Sequence, residues 1–255
     1  MTSSVVLSAL LHELLDTPFD LEFAVTNRCN LKCIQCNIWR HYEEKPELSK
    51  DELSAERIAK IFSSYRGFNV IGITGGEPYL RGDLPEIFDI IASTQKSLRS
   101  LFITTNGQLS DVISTSVKEM LRRMNRYGVR FELTHLVSID GPRELHDEIR
   151  GVVGAHEKAL KTLRLLAELA TSYPSFHVGT VTVCSPFNVD RLGEVLDHIS
   201  ELKQEHDLEP SFCVWFQGQL YKNIEEYQNR KMEEFRLRLI DYVPRMKSIV
   251  GSGSA

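Results

Sequence analysis

The sequence predicts an α/β fold on a parallel sheet, and three observations carry that prediction. Short β-rich runs alternate with amphipathic helical stripes, no hairpin signal separates successive runs, and 255 residues is close to the usual size of an α/β barrel. Crossovers between parallel strands are right-handed, so six such units form either a partial barrel or an open doubly wound sheet. Composition agrees with a soluble globular chain: 42% hydrophobic, 25% charged, net charge −5. This excludes a disordered tail or a collagen-like repeat, and the mild acidity argues against nucleic acid held on a broad basic face. A chain of this length buries a sizeable core without disulfide staples.

The elements follow in order. In residues 1–18, Leu7, Leu10, Leu11, Leu14 and Leu15 recur at helical spacing, which predicts a helix packing on the barrel. The segment lacks a basic leader, and His12, Glu13 and Asp16 interrupt it, so it makes a poor signal peptide. It also has no Lys or Arg to meet anionic lipid. The core, residues 19–222, carries strand runs at Leu21–Thr26, Val70–Thr74, Leu101–Thr105, Arg130–Ser138, His177–Val183 and Ser211–Phe216. Helical stripes fall between them: Ile58, Ile61, Phe62 and Tyr65; then Val117, Met120, Leu121 and Met124; then Leu160, Leu163, Ala167 and Ala170; then Leu192, Val195, Leu196 and Ile199. Ser49 with Glu52 three residues on predicts a capping box at the start of the first of these helices. Residues 223–250 hold a last stripe, Met232, Phe235, Leu239 and Tyr242, which predicts a C-terminal helix. Residues 251–255, Gly-Ser-Gly-Ser-Ala, have the composition of a flexible tail. No run reaches the ~18 apolar residues of a membrane span. The expected compartment is the cytoplasm.

Chemistry-bearing residues gather after the strand runs. Three of the five cysteines, Cys29, Cys33 and Cys36, fall within eight residues directly after the first strand. Three thiolates in one loop suit an iron–sulfur cluster, whose cubane form would then keep one iron open. The alternative is structural zinc with His41 as fourth ligand, although zinc modules usually draw their ligands from two knuckles. After the second strand come Gly75-Gly76-Glu77-Pro78, where paired glycines let backbone approach a ligand and a glutamate can hold an ammonium group. Thr105-Asn106-Gly107 follows the third strand. Ser138 and Asp140 share a face at the end of the fourth, within reach of a ribose, and Arg150 can pair with a carboxylate. All four segments lie at the carboxyl ends of successive strands, the edge on which barrel and doubly wound enzymes build their sites.

These motifs resemble those of the radical S-adenosylmethionine superfamily over roughly residues 20–220. The resemblance rests on Cys29-x3-Cys33-x2-Cys36, on Gly75-Gly76-Glu77-Pro78, and on Ser138-Ile139-Asp140-Gly141 with His146-Asp147-x2-Arg150-Gly151. This wording is similar to the peptide-modifying and molybdopterin-cyclase-like branches. The resemblance implies a partial (β/α)6 TIM-like barrel, a [4Fe-4S] cluster on the three cysteines, and S-adenosyl-L-methionine on the open iron. Gly75, Gly76, Glu77 and Pro78 would meet its amino group, with Asn106 beside them. Ser138 and Asp140 would face the ribose or methionine end, Arg150 the carboxylate, and the backbone at Gly179 and Val181 the adenine. Two departures stand out. Gln35 occupies the place before the third cysteine that is often aromatic, and only Cys184 and Cys213 remain for any auxiliary cluster.

The implied function is reductive cleavage of S-adenosylmethionine to a 5′-deoxyadenosyl radical that abstracts hydrogen from a small-molecule or peptide substrate. A low-potential donor such as flavodoxin or ferredoxin would supply the electron. The competing readings are a non-catalytic iron–sulfur electron carrier and a zinc-stabilised binding module. Cys184, at the end of the fifth strand, is weighed as a hydrogen-atom donor against a buried packing residue. His135 is expected in the core. Phe212, Trp215 and Phe216 are also expected there, with Trp215 to Gln219 as the stretch available to line a substrate pocket.

Overall fold

The structure is a computed structural model that describes residues 18–47, 52–128, 130–214 and 229–251. The predicted helix in 1–18, Ser49 of the capping box, the Trp215–Gln219 stretch and the tail beyond Gly251 lie outside the described residues, apart from Pro18 at its edge.

Six strands run in chain order across one parallel sheet. They are β1 (Asp20–Thr26), β2 (Val70–Gly75), β3 (Ser100–Thr105), β4 (Glu132–Ser138), β5 (Phe176–Cys184) and β6 (Ser211–Val214). Helices α1 (Ile38–Glu44), α2 (Ala55–Ser64), α3 (Leu84–Thr94), α4 (Ser110–Tyr127), α5 (Arg143–Arg150), α6 (Ala155–Ala170), α7 (Leu192–His206) and α8 (Asn229–Val250) complete the architecture. Sequential order without a switch is the signature of a winding barrel rather than a doubly wound sheet. The fold is the curled partial (β/α)6 barrel expected.

The two faces of the sheet differ in chemistry. Ile71, Ile73, Leu101, Ile103, Leu133 and Val137 are fully buried against the helices. Their registered neighbours Gly72, Phe102, Thr134 and Leu136 share the opposite, concave face. Alternation along each strand therefore sends β-branched and aliphatic side chains outward to the helices and leaves the concave face mixed. Leu192, Val195, Leu196 and Ile199 are all fully buried, as their spacing predicts.

Two expectations are corrected. Ile61 is 46% exposed: Ile58 and Phe62 alone fill the buried side of α2. That helix starts at Ala55, with Ser54 as its N-cap accepting from the Arg57 N–H. Glu52 is drawn away from a capping role because its carboxylate accepts from the Thr26 hydroxyl at 2.5 Å and pairs with Arg28 at 3.6 Å. The strand end outcompetes the helix start for that carboxylate.

Candidate functional site

The site grows from the carboxyl end of β1. The β1–β2 register slips between Ala24 and Thr26, a bulge that re-aims the strand as it enters the cysteine loop. That loop rests on the Gly75–Pro78 turn through two backbone bonds: Gly76 N–H donates to the Thr26 carbonyl and Glu77 N–H to the Arg28 carbonyl, both at 2.7 Å. A Cβ on Gly76 would stand 2.0 Å from the Arg28 carbonyl oxygen, and one on Gly75 2.3 Å from that of Thr26. The glycine pair therefore serves close contact with the cysteine loop itself.

Glu77 is also turned inward. It is fully buried and accepts from the Thr105 hydroxyl at 2.8 Å and from the backbone N–H groups of Asn106 (2.8 Å) and Tyr79 (3.2 Å). Burial outweighs these three donors and lifts its pKa to about 7. Its carboxylate clamps the end of β2 to the end of β3. Pro78 opens a short 3₁₀ turn, Pro78–Leu80, which delivers Tyr79 into the core. There the Tyr79 hydroxyl lies 2.5 Å from His135 Nε2. Burial holds His135 neutral, its pKa lowered to about 3, in the core position expected of it.

The loop thiols come next. Cys33 is buried, while Cys29 and Cys36 are part-exposed. Desolvation pushes Cys29 up to about 11, and the fields of Cys33, Glu77 and Cys36 add to it, so the thiols sense one another. Among the described residues no group of three or more His, Cys, Asp or Glu converges on a single ion. Cys29, Cys33 and Cys36 on one loop are three thiols of the kind that ligate an iron–sulfur cluster. The His41 side chain lies outside the described set.

Donors face these thiols. Asn106 Nδ2 lies 3.8 Å from Cys29 Sγ and 2.7 Å from Asn30 Oδ1. Arg150 Nη1 lies 3.9 Å from Cys33 Sγ, and Nη2 pairs with Asp140 Oδ2 at 2.7 Å. Burial opposes the guanidinium charge, yet Asp140 and Cys33 hold its pKa above the usual range. Arg150 Nε is buried without a hydrogen-bond partner. Helix α5 reaches this place because Gly151 ends it in the left-handed region (φ 71°), its α-carbon so close that a Cβ would meet the Lys32 carbonyl at 2.7 Å. The Ile34 N–H then donates to the Ile149 carbonyl at 2.9 Å.

Asp140 is fully buried. Its Oδ1 accepts from the Val183 N–H and its Oδ2 from Gln35 Nε2, both at 3.0 Å, while its own N–H donates to His146 Nδ1 at 3.1 Å. This carboxylate joins β4, β5, α5 and the cysteine loop. Ser138, 8% exposed, registers with Val181 on the concave face. Gly179 has a second reason for being glycine, since a Cβ there would meet the Glu209 carbonyl at 2.0 Å.

Cys184 shares the helix-packed face with Thr180 and Thr182, is 1% exposed, and belongs to the hydrophobic core; burial pushes its pKa to about 12. The packing account fits that position. Cys213, registered opposite Val183, is the exposed thiol on the concave face. Sequence reasoning missed Gln35, Thr105 and Asn30 as working parts of the site. Their partners lie 105, 28 and 76 residues away, so no local spacing marks them.

Comparison with known proteins agrees with this geometry. The chain matches the Radical SAM superfamily over residues 23–199. It is 32% identical over 182 residues to an Fe-coproporphyrin III synthase of Methanosarcina barkeri, covering 70% of this chain and 40% of that protein. It is 30% identical over 193 residues to GTP 3′,8-cyclase 1 of Mycobacterium tuberculosis, covering 73% and 49%. In fold it is similar to Streptococcus suis SuiB bound to S-adenosylmethionine, with TM-score 0.63, 18% identity, and 96% of this chain on 52% of that one. It is likewise similar to anSMEcpe with bound AdoMet, with TM-score 0.58, 20% identity, and 88% on 60%. The chain thus spans less than half the length of the two curated relatives. Six parallel strands, the cysteine loop on their carboxyl edge and the match over residues 23–199 agree: the chain belongs to the radical S-adenosylmethionine superfamily, whose members use a [4Fe-4S] cluster and S-adenosylmethionine.

Proposed function

We propose that the chain is the core of an enzyme that reductively cleaves S-adenosylmethionine, with Cys29, Cys33 and Cys36 holding a [4Fe-4S] cluster. One observation supports this above the others: the loop thiols, the Arg150 guanidinium and the ends of four parallel strands meet at one edge of the barrel. When bound, the cluster supplies the low-potential electron that splits the sulfonium C–S bond into methionine and a 5′-deoxyadenosyl radical.

The chain's own residues bind and orient. Arg150 offers its unpartnered Nε to a carboxylate in the site. Asn106 and Arg150 donate toward thiolate sulfur. Glu77 and Asp140 fix the strand ends so that these donors stay in place. Phe102, Leu136, Val181 and Val183 give the mixed concave face an apolar stretch that limits the access of water to a radical, with Thr134 and the Cys213 thiol beside it. The electron would come from a flavodoxin or ferredoxin. SuiB has been solved with its precursor peptide SuiA, and anSMEcpe with a peptide; a peptide or a small molecule would be the substrate here. An electron carrier would have no use for a donor left to bind a carboxylate, such as the Arg150 Nε.

The test is anaerobic incubation of the chain with S-adenosylmethionine and dithionite. The expected product is 5′-deoxyadenosine, and its formation should vanish in each of Cys29→Ala, Cys33→Ala and Cys36→Ala. A brown chain that makes none would be an electron carrier instead.

A further inference from the structure

We propose that Gln35 is a positioning residue that sets how closely Arg150 is held to Cys33. The inference rests on the cluster reading given above and extends it to a residue that binds neither iron nor cofactor.

Gln35 lies inside the Cys29–Cys36 loop and is 5% exposed. Its Nε2 donates to Asp140 Oδ2 at 3.0 Å, the same oxygen that pairs with Arg150 Nη2 at 2.7 Å. The other oxygen, Oδ1, is occupied by the Val183 N–H. The carboxylate therefore serves three elements at once, and only at Oδ2 do the loop and Arg150 compete for it.

That competition has a direction. A carboxylate oxygen shared with an amide donor attracts a guanidinium less than one free to serve it alone. Gln35 thus weakens the pull of Asp140 on Arg150 and leaves Nη1 turned toward Cys33 Sγ, 3.9 Å away. A neutral amide does this without adding a second cation, and an apolar aromatic ring at this position would not do it at all. Donors to cluster sulfur stabilise the reduced, more negative state and raise the reduction potential. Gln35 acts on the potential through Asp140 and Arg150.

The experiment is a redox titration of the anaerobically reconstituted full chain, followed by EPR of the reduced cluster, with iron and sulfide counted in each sample. Gln35→Met keeps length and removes the donor; its midpoint potential should be more negative than the parent's at unchanged iron content. Gln35→Asn, too short to reach Asp140, should shift the same way. In an Asp140→Asn background, adding Gln35→Met should move the potential no further, because the intermediary is gone. A purely structural residue would show no such dependence on Asp140. Equal potentials in the parent and both Gln35 variants would overturn the proposal. So would a shift that persists in full in the Asp140→Asn background, or loss of the cluster from both variants while circular dichroism shows them folded. A parent chain that binds no iron or sulfide would overturn the cluster reading too, which distinguishes that failure from a failure of Gln35 alone.

Discussion

The helix-packed face of the sheet and its carboxyl edge are equally buried but held by different forces. On the helix-packed face, Ile71, Ile73, Leu101, Ile103, Leu133 and Val137 meet helices with hydrocarbon, and none is exposed. Each such side chain contributes ~1.5–3 kcal/mol by leaving water, whichever apolar neighbour it finds. At the edge, Glu77 and Asp140 are just as buried, yet each is stabilised only by particular donors at 2.7–3.2 Å. Apolar burial is forgiving of identity; buried charge is not. Damage to the first region should cost stability alone, whereas damage to the second should disable the site before the barrel fails.

The largest break in that contrast is expected at Gly76→Val. Its Cβ would fall 2.0 Å from the Arg28 carbonyl, so the cysteine loop has to move. A cost of ~4 kcal/mol is expected, together with loss of most iron, because the loop and the turn separate. The bare sequence pointed instead to lost cofactor binding with the cluster intact. Urea unfolding with iron analysis of the same sample distinguishes the two outcomes.

Leu133→Ala probes the other region. Removing a fully buried leucine from the helix-packed face should cost ~3 kcal/mol through transfer and cavity terms. S-adenosylmethionine affinity, measured by calorimetry where the variant is still folded, should be unchanged. A parallel loss of affinity would mean that the two regions are coupled.

Glu77 gives a pH signature. Burial raises its folded pKa to about 7 from 4.5, so the folded chain binds the proton more tightly than the unfolded chain. Its contribution is fully present below pH ~4.5 and is lost as pH rises through ~7, about 3 kcal/mol in all. In the metal-free chain, Glu77→Gln should flatten the stability profile across that window. An unchanged slope would place the titration elsewhere.

The smallest effect is expected at Cys184. Cys184→Ser buries a hydroxyl in the core and should cost ~1–3 kcal/mol. Cys184→Ala should leave the product made per 5′-deoxyadenosine unchanged, because the thiol packs against helices. A fall in that ratio would restore the hydrogen-donor role.

The same contrast explains what the sequence discloses. Alternation in β2–β5 and the run Leu192, Val195, Leu196, Ile199 report burial through periodicity, so the strands, much of the core and five of the described helices were legible, while α1, α3 and α5 were missed. The cysteine spacing and Gly75–Pro78 were legible because all their members are neighbours in the chain. Ile61 misled because a helical stripe is wider than the surface that covers it, and Glu52 because a strand end claimed its carboxylate. Asp140 was placed at the right edge, but its protein partners were not foreseen. Gln35 and Val183, which occupy its oxygens, lie 105 and 43 residues away, and no periodicity connects them.

The central claim is that one loop supplies three thiolates to a cluster on the carboxyl edge while the barrel stands independently of it. Iron and acid-labile sulfide per chain, counted after anaerobic reconstitution of the parent and of Cys33→Ala, test it most directly. The account predicts about four of each in the parent, and loss of most of both from a Cys33→Ala chain that keeps its circular dichroism and melting transition. A full four-iron complement in folded Cys33→Ala would contradict it.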